Sequence, residues 1–193
     1  LYGIDKKPMP YLLGMMNMLL HEVDSPNIVR ANTISKPLRE ISEKDQYEVI
    51  MTNPPFGGEE EEGLSSNLPV GLQTSDTALA FLLYIMYSLK DGGRCGIILP
   101  NGPLFAGGVT AKIKDKLLNE FNLHTIVRLP ESIFAPYNGI RTNILFFEKT
   151  GVTEQIWYYD MPIREGIKRF NKTNPPTLDD FKRHLLHGKY TPL

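Results

Sequence analysis

The residue pattern predicts a mostly parallel α/β sheet with helices on both faces, from two observations. Short β-branched and apolar runs alternate with amphipathic stretches of helical period along most of the 193 residues. The stretches between the main runs are long enough to carry a crossover helix, and they end in turn-forming residues such as Lys90-Asp91-Gly92-Gly93.

Leu1-Tyr2-Gly3-Ile4 starts strand-like and runs into Asp5. A helix follows from Pro8 to His21, with Leu12, Leu13, Met16, Leu19 and Leu20 on one face; its prolines fall in the first turn, where a missing N–H costs nothing. Asn27 to Arg30 is a short strand ending at Ala31-Asn32-Thr33, and Tyr47 to Thr52 is an apolar, β-branched strand. Residues 57 to 74 form a long loop rich in Gly and Glu, a length typical of lids or disordered segments. Thr77 to Leu89 is helical, Cys95 to Leu99 a strand, Thr110 to Phe121 a helix and His124 to Leu129 a strand. Thr142 to Glu148 is the last long strand, Gln155 to Tyr159 an outer one, and Leu178 to Leu186 a surface helix. Ligands bind such sheets outside the carboxyl ends of the strands. Asp5, Asn32, Asn53 and Pro100 all stand at predicted carboxyl ends and so share one rim.

Composition sets the bounds. The length suits one domain with a small appendage, and 41% hydrophobic with 22% charged residues is ordinary for a globular protein. A net charge of -1 gives no global basic signature, so nucleic-acid binding must be local or supplied by a partner. Cys95 lies within an apolar run with no histidine pattern, as a core thiol does, and one cysteine forms no disulfide within a chain. No stretch of about eighteen apolar residues or signal-peptide pattern is present, so the cytoplasm is the expected location. Glu59-Glu60-Glu61-Glu62 place carboxylates in different directions with no histidine nearby, which fits a solvated loop and not a metal site. His184 and His187 are expected at the surface. Arg164, Lys168, Arg169, Lys172, Lys182, Arg183 and Lys189, with Phe170 and Tyr190 interleaved, make the last third locally basic. They form either a solvated face or a contact for phosphates.

The chemistry concentrates at Asn53-Pro54-Pro55-Phe56, which ends the Tyr47–Thr52 strand and precedes Gly57-Gly58. At ordinary proline usage such a tetrapeptide arises by chance in roughly one chain of this length in several hundred. Asn174-Pro175-Pro176-Thr177 is an internal control: it follows polar residues, lacks the aromatic and suits a plain turn. Asn53 offers a side-chain carbonyl, Pro54 a backbone carbonyl, and Phe56 a ring. Together they can accept both hydrogens of an exocyclic amine and stack on the ring that carries it; for a base in a duplex this requires flipping. Asp5 suits either a ribose diol or a cap on the helix that begins at Pro8.

Asn-Pro-Pro-Phe after an apolar strand resembles the catalytic motif of the S-adenosylmethionine-dependent amino-methyltransferases, in particular the adenine-N6 DNA methyltransferases. Tyr11-Leu12-Leu13-Gly14-Met15-Met16-Asn17-Met18-Leu19-Leu20-His21, Asp91-Gly92-Gly93-Arg94, Leu99-Pro100-Asn101-Gly102 and the run from Tyr137 to Phe147 narrow the likeness to the modification (M) subunit of type I restriction–modification systems. The resemblance runs from Tyr2 to about Asp160. It implies a Rossmann-like methyltransferase sheet, mostly parallel with an antiparallel last strand, over residues 1–160, and a C-terminal extension over 161–193. It implies an adenine-specific DNA methyltransferase using S-adenosylmethionine on double-stranded DNA, working with a specificity and a restriction subunit. Position by position, Asp5 matches the ribose-binding acid, and Asn32 stands where an acidic residue near the cofactor adenine is common. Asn53 and Pro54 match the amine acceptors, with Asn53 also at the cofactor, and Phe56 matches the stacking ring. Phe134 matches a second aromatic at the flipped base or belongs to the core.

The family's glycine-rich cofactor loop and its strand precede the acidic residue, and no Gly-x-Gly follows an N-terminal strand here. In the family's sheet order that strand lies between those at Leu1 and Val49. The 193 residues are therefore expected to be a fragment of a longer subunit, inactive alone and binding S-adenosylmethionine weakly or not at all. The alternative is a truncated, non-catalytic scaffold that binds DNA or a partner.

Overall fold

The computed structural model describes residues 1–57, 63–102, 106–185 and 191–192. Two strands, β1 (Tyr2–Asp5) and β2 (Asn27–Arg30), pair in parallel, joined by helix α1 (Pro8–Leu20). The remaining strands are β3 (Tyr47–Thr52), β4 (Leu89–Pro100), β5 (Asn122–Arg128), β6 (Thr142–Glu148), β7 (Trp157–Asp160) and β8 (Thr191–Pro192). They form a second sheet in the order β3-β4-β6-β5-β7-β8. β3 runs parallel to β4 and β5 to β7, while β6 is antiparallel to both its neighbours. β3, β4 and β5 thus share one direction, and their carboxyl ends form one rim.

Helix α2 (Thr77–Ser88) is capped by the Asp76 carboxylate, which accepts from the Leu79 N–H at 3.0 Å. It is buried on nearly every side, with Leu82, Leu83, Ile85 and Met86 in the core. Helix α3 (Val109–Glu120) buries only Thr110, Ile113 and Leu117 and turns its lysines outward. The two helices touch each other and cover one face of the large sheet, over Ile97, Leu99, Leu145 and Phe147. Side chains alternate across a strand, so Ile144 and Phe146 face the opposite side. There the cover is not a helical layer but the turn Glu131–Tyr137 and the chain from Met161, with Phe170 and Phe181 packed in; Phe181 belongs to helix α4 (Leu178–Leu185).

Two elements depart from the sequence pattern. β4 begins at Leu89, directly after α2, so Lys90-Asp91-Gly92-Gly93 lies inside the strand run. Gly92 takes a positive φ of 75°, its N–H donates to the Lys149 carbonyl at 2.9 Å, and the Lys149 N–H donates to the Gly93 carbonyl at 2.8 Å. The helix ends at Ser88, before the glycines, and long-range pairing places them in the sheet. The long loop after residue 57 contains a 3-10 turn at Leu64–Asn67, and Asn67 Nδ2 donates to the carbonyls of Ile34 and Ser35 at 3.2 and 2.9 Å. Glu59 to Glu62 lie outside the described residues.

Helix α1 packs on β2 closely enough that a Cβ at Gly14 would meet Ile28 Cδ1 at 3.3 Å. None of its 13 residues is buried, and Leu12, Leu13, Met16, Leu19 and Leu20 stay more than half exposed. β3 has the composition of a central strand, yet Val49 and Met51 are 51% and 83% exposed. Among the described residues β1 pairs only with β2 and β3 only with β4. Between β1 and β3 runs a seam bridged by the stacked rings of Tyr2 and Tyr47, 5.3 Å apart.

Candidate active site

β3 ends at Thr52, in parallel register with Ile97, so Asn53 leaves the sheet beside the end of β4. Pro54 is buried and anchors the turn, while Asn53 and Pro55 are exposed. The proline rings hold the backbone and contribute no N–H to compete for the carbonyls. Neither the Asn53 side chain nor the Pro54 carbonyl has a hydrogen-bond partner among the described residues. Phe56, half-buried, meets Phe134 edge-on, with centroids 5.2 Å apart and planes at 61°.

Phe134 reaches this point from the turn between β5 and β6. The turn is braced from within, where the Phe134 carbonyl accepts from the Tyr137 N–H at 2.8 Å. It is also braced from outside, where the Phe170 N–H donates to Ser132 Oγ at 3.0 Å. The Phe134 ring packs against the second core cluster as well as Phe56, so it is both a core residue and a wall of the site.

One brace was not anticipated from the sequence. Asn143, 3% exposed in β6, donates from Nδ2 to Asn101 Oδ1 at 2.6 Å, and the Asn101 N–H donates to the Arg141 carbonyl at 3.0 Å. These bonds hold the chain leaving β4, next to Asn53. The available signal was the polar pair Thr142-Asn143 opening an otherwise apolar strand; a buried polar side chain needs a partner.

Asp5 and Asn32 stand at the neighbouring carboxyl ends of β1 and β2, on one side of the seam. β1 and β2 pair Asp5 with Arg30, and the Ala31 N–H donates to the Asp5 carbonyl at 3.1 Å. Asp5 Oδ1 accepts from the Lys7 N–H at 2.8 Å, opening the turn into α1 and leaving the second carboxylate oxygen available. Asn32 Oδ1 caps a 3-10 turn by accepting from the Ile34 N–H at 3.3 Å. Its Nδ2 is buried with no partner, a donor that a ligand acceptor would satisfy.

Cys95 is buried, and desolvation pushes its thiol up to about 12, a core thiol and no nucleophile. His21 and His124 bond locally, to the Asn17 carbonyl and Thr125 Oγ1, and no metal-binding cluster occurs among the described residues. His187 lies outside the described residues. No helix among them is long and apolar enough to cross a membrane.

The family model of the N-6 DNA methylases matches residues 1–186. The chain belongs to the N-6 DNA methylase family. This N-6 DNA methylase chain is 48% identical over 186 residues to the type I restriction enzyme EcoEI methylase subunit of Escherichia coli, covering 96% of this chain and 38% of that one. A modification subunit solved from Vibrio vulnificus superposes with a TM-score of 0.92 at 44% identity, over 100% of this chain and 43% of that one. The solved M protein of the type I restriction enzyme EcoKI gives a TM-score of 0.78 at 30% identity, over 94% of this chain and 40% of that one. The α/β sheet with its antiparallel β6 is that of the S-adenosylmethionine-dependent methyltransferases. The N-6 DNA methylase chain spans less than half the length of each of these relatives.

Proposed function

We propose that this chain is the catalytic part of an adenine-N6 DNA methyltransferase acting in a type I restriction–modification complex, with a specificity and a restriction subunit as partners. The observation that carries this is the pair of acceptors without partners among the described residues, Asn53 Oδ1 and the Pro54 carbonyl, set on a proline-held turn beside the Phe56 ring. The exocyclic amine of adenine has two hydrogens. Both are accepted here, which fixes the amine and directs its lone pair away from the acceptors. Phe56 and Phe134 receive the flipped ring. Catalysis then rests on positioning and on the exclusion of water, with no covalent intermediate on the protein.

The chain's residues fit the adenosine end of S-adenosylmethionine, which when bound supplies an electrophilic methyl group. The open oxygen of Asp5 suits a ribose hydroxyl, and the orphaned Nδ2 of Asn32 suits a ring acceptor. The open edges of β1 and β3 favour one further strand between them, carrying the glycine-rich loop for the methionine end. Those same open edges favour a second reading, a non-catalytic scaffold that uses the seam to bind a partner. Asn53→Ala in the full-length subunit with its specificity partner separates the two. Methyl transfer to adenine in the wild-type complex and its loss in the variant support the enzyme with Asn53 at the amine; no transfer by the wild-type complex supports the scaffold, and equal transfer by both sinks the role of Asn53.

A further inference from the structure

The rim does not end at Asn53. Beyond β4 and β6 it continues to the carboxyl ends of β5 and β7, where an open cleft of about 750 Å³ lies between the Pro130–Arg141 turn and the chain from Ile163 to Asn171. Arg128, Arg141, Lys168 and Arg169 line it, against two carboxylates, Glu131 and Asp160. Arg141 Nε is bonded to Glu131 at 2.6 Å, so this pair neutralises itself. Asp160 stands opposite Arg128 in the β5–β7 register, yet Arg128 makes no ion pair among the described residues and its Nε is buried without a partner. Lys168 and Arg169 are exposed and likewise unpaired among the described residues. In a chain of net charge -1 this surplus is local, and it is the kind of unmet donor set that an anion satisfies.

The segment that carries Lys168 and Arg169 is anchored at both ends. Phe170, next to Arg169, is fully buried and its N–H donates to Ser132 Oγ, tying the cationic segment to the turn. Arg164 fastens the far end by a two-pronged bond to Asp180, both contacts at 2.8 Å. The same turn presents Phe134 to Phe56 on one side and Ser132, Ala135 and Pro136 to the cleft on the other. Thus one rigid element separates the base site from the basic cleft.

We propose that this cleft binds the DNA backbone beside the target nucleotide, with Arg128, Lys168 and Arg169 contacting phosphates; the inference rests on the methyltransferase reading above. Phosphate contacts position DNA without reading its sequence, which suits a subunit whose specificity lies elsewhere. The test uses the full-length subunit with its specificity partner and measures duplex binding by fluorescence anisotropy across a salt series. For K168Q/R169Q, the slope of log affinity against log salt should fall by about 1.8, at 0.9 per lost contact. Affinity at about 0.1 M salt should fall on the order of fiftyfold, equally for target and non-target duplexes. An unchanged slope and affinity would overturn the proposal. So would loss of subunit assembly on size exclusion with a wild-type slope in whatever still assembles, since the cleft would then seat protein. In parallel, Asn53→Ala should keep the full salt slope while losing methyl transfer, so failure of the cleft and failure of the enzyme reading give different results.

Discussion

Phe134 touches both the core and the site, and one substitution distinguishes what each contact contributes. Phe134→Leu keeps an apolar side chain of similar reach against Val127, Leu129 and Phe170 but removes the flat ring facing Phe56. The residue is only partly buried, so the packing loss should be about 1 kcal/mol. An edge-to-face pair with centroids 5.2 Å apart contributes about 0.5–1.5 kcal/mol in the absence of DNA, which sets the coupling expected with Phe56→Leu in a double-mutant cycle. A base stacked on an aromatic ring is worth about 1–3 kcal/mol. Capture of the flipped adenine should therefore weaken by roughly tenfold, within a range of about five- to 150-fold. A duplex with 2-aminopurine at the target position reports unstacking by fluorescence, and urea denaturation reports stability. Lower fluorescence with a small stability loss supports Phe134 as a wall of the base site. A stability loss with unchanged fluorescence and unchanged kcat/KM would show that it is core alone.

Two further outcomes follow from other parts of the molecule. Calorimetry on the isolated 193-residue chain should find S-adenosylmethionine binding weaker than micromolar, because the proposed contacts among the described residues, Asp5 and Asn32, serve the adenosine end alone; micromolar binding would remove the need for a strand in the seam. Asp180 is held down to about 2, chiefly by the Arg164 guanidinium and also by the Thr177 N–H and hydroxyl, against an opposing burial effect. A lowered carboxyl pKa contributes stability that is full above about pH 4 and lost as pH falls toward 2. With Arg164 34% exposed, solvent screening reduces that contribution to on the order of 1 kcal/mol. Asp180→Asn should therefore lower the urea midpoint at pH 7 but hardly change it at pH 2; an equal loss at both would mean that packing, not charge, was removed.

Much of the fold is legible because local and tertiary preferences agree. β6 runs from Thr142 to Glu148, the bounds expected of the last long strand, and β3 ends where the Asn-Pro turn begins. The failures arise where long-range pairing decides. Nothing local to Asp91-Gly92-Gly93 announces that Lys149 will pair with it across the sheet. Nor does α1 disclose that its apolar stripe lies exposed; its period is correct, but burial depends on a neighbour that no local pattern names. At the site, Asn53, Pro54 and Phe56 stand out by residue type alone. The Asn143–Asn101 bond and the cationic cleft do not, because each joins residues distant in sequence.

The two Asn-Pro-Pro turns show why residue type needs its surroundings. At Asn174 the Asn171 N–H donates to the Asn174 carbonyl at 3.1 Å, and the Asn174 N–H returns to Asn171 Oδ1 at 2.8 Å. The Pro175 carbonyl accepts from Arg164 Nη2 at 2.9 Å. The backbone carbonyls of Asn174 and Pro175 are thus engaged within the C-terminal segment, and the turn has no ring to offer. At Asn53 the same three residues leave the side-chain carbonyl and the Pro54 carbonyl without partners among the described residues, at a strand end, with Phe56 beside them. An acceptor already engaged stabilises the fold; one held rigid and unengaged is available to a substrate. By that criterion the Pro54 carbonyl, free among the described residues, and the adjoining Phe56 ring support the proposed amine site at the first turn. The engaged Pro175 carbonyl makes the second turn part of the scaffold beside the basic cleft.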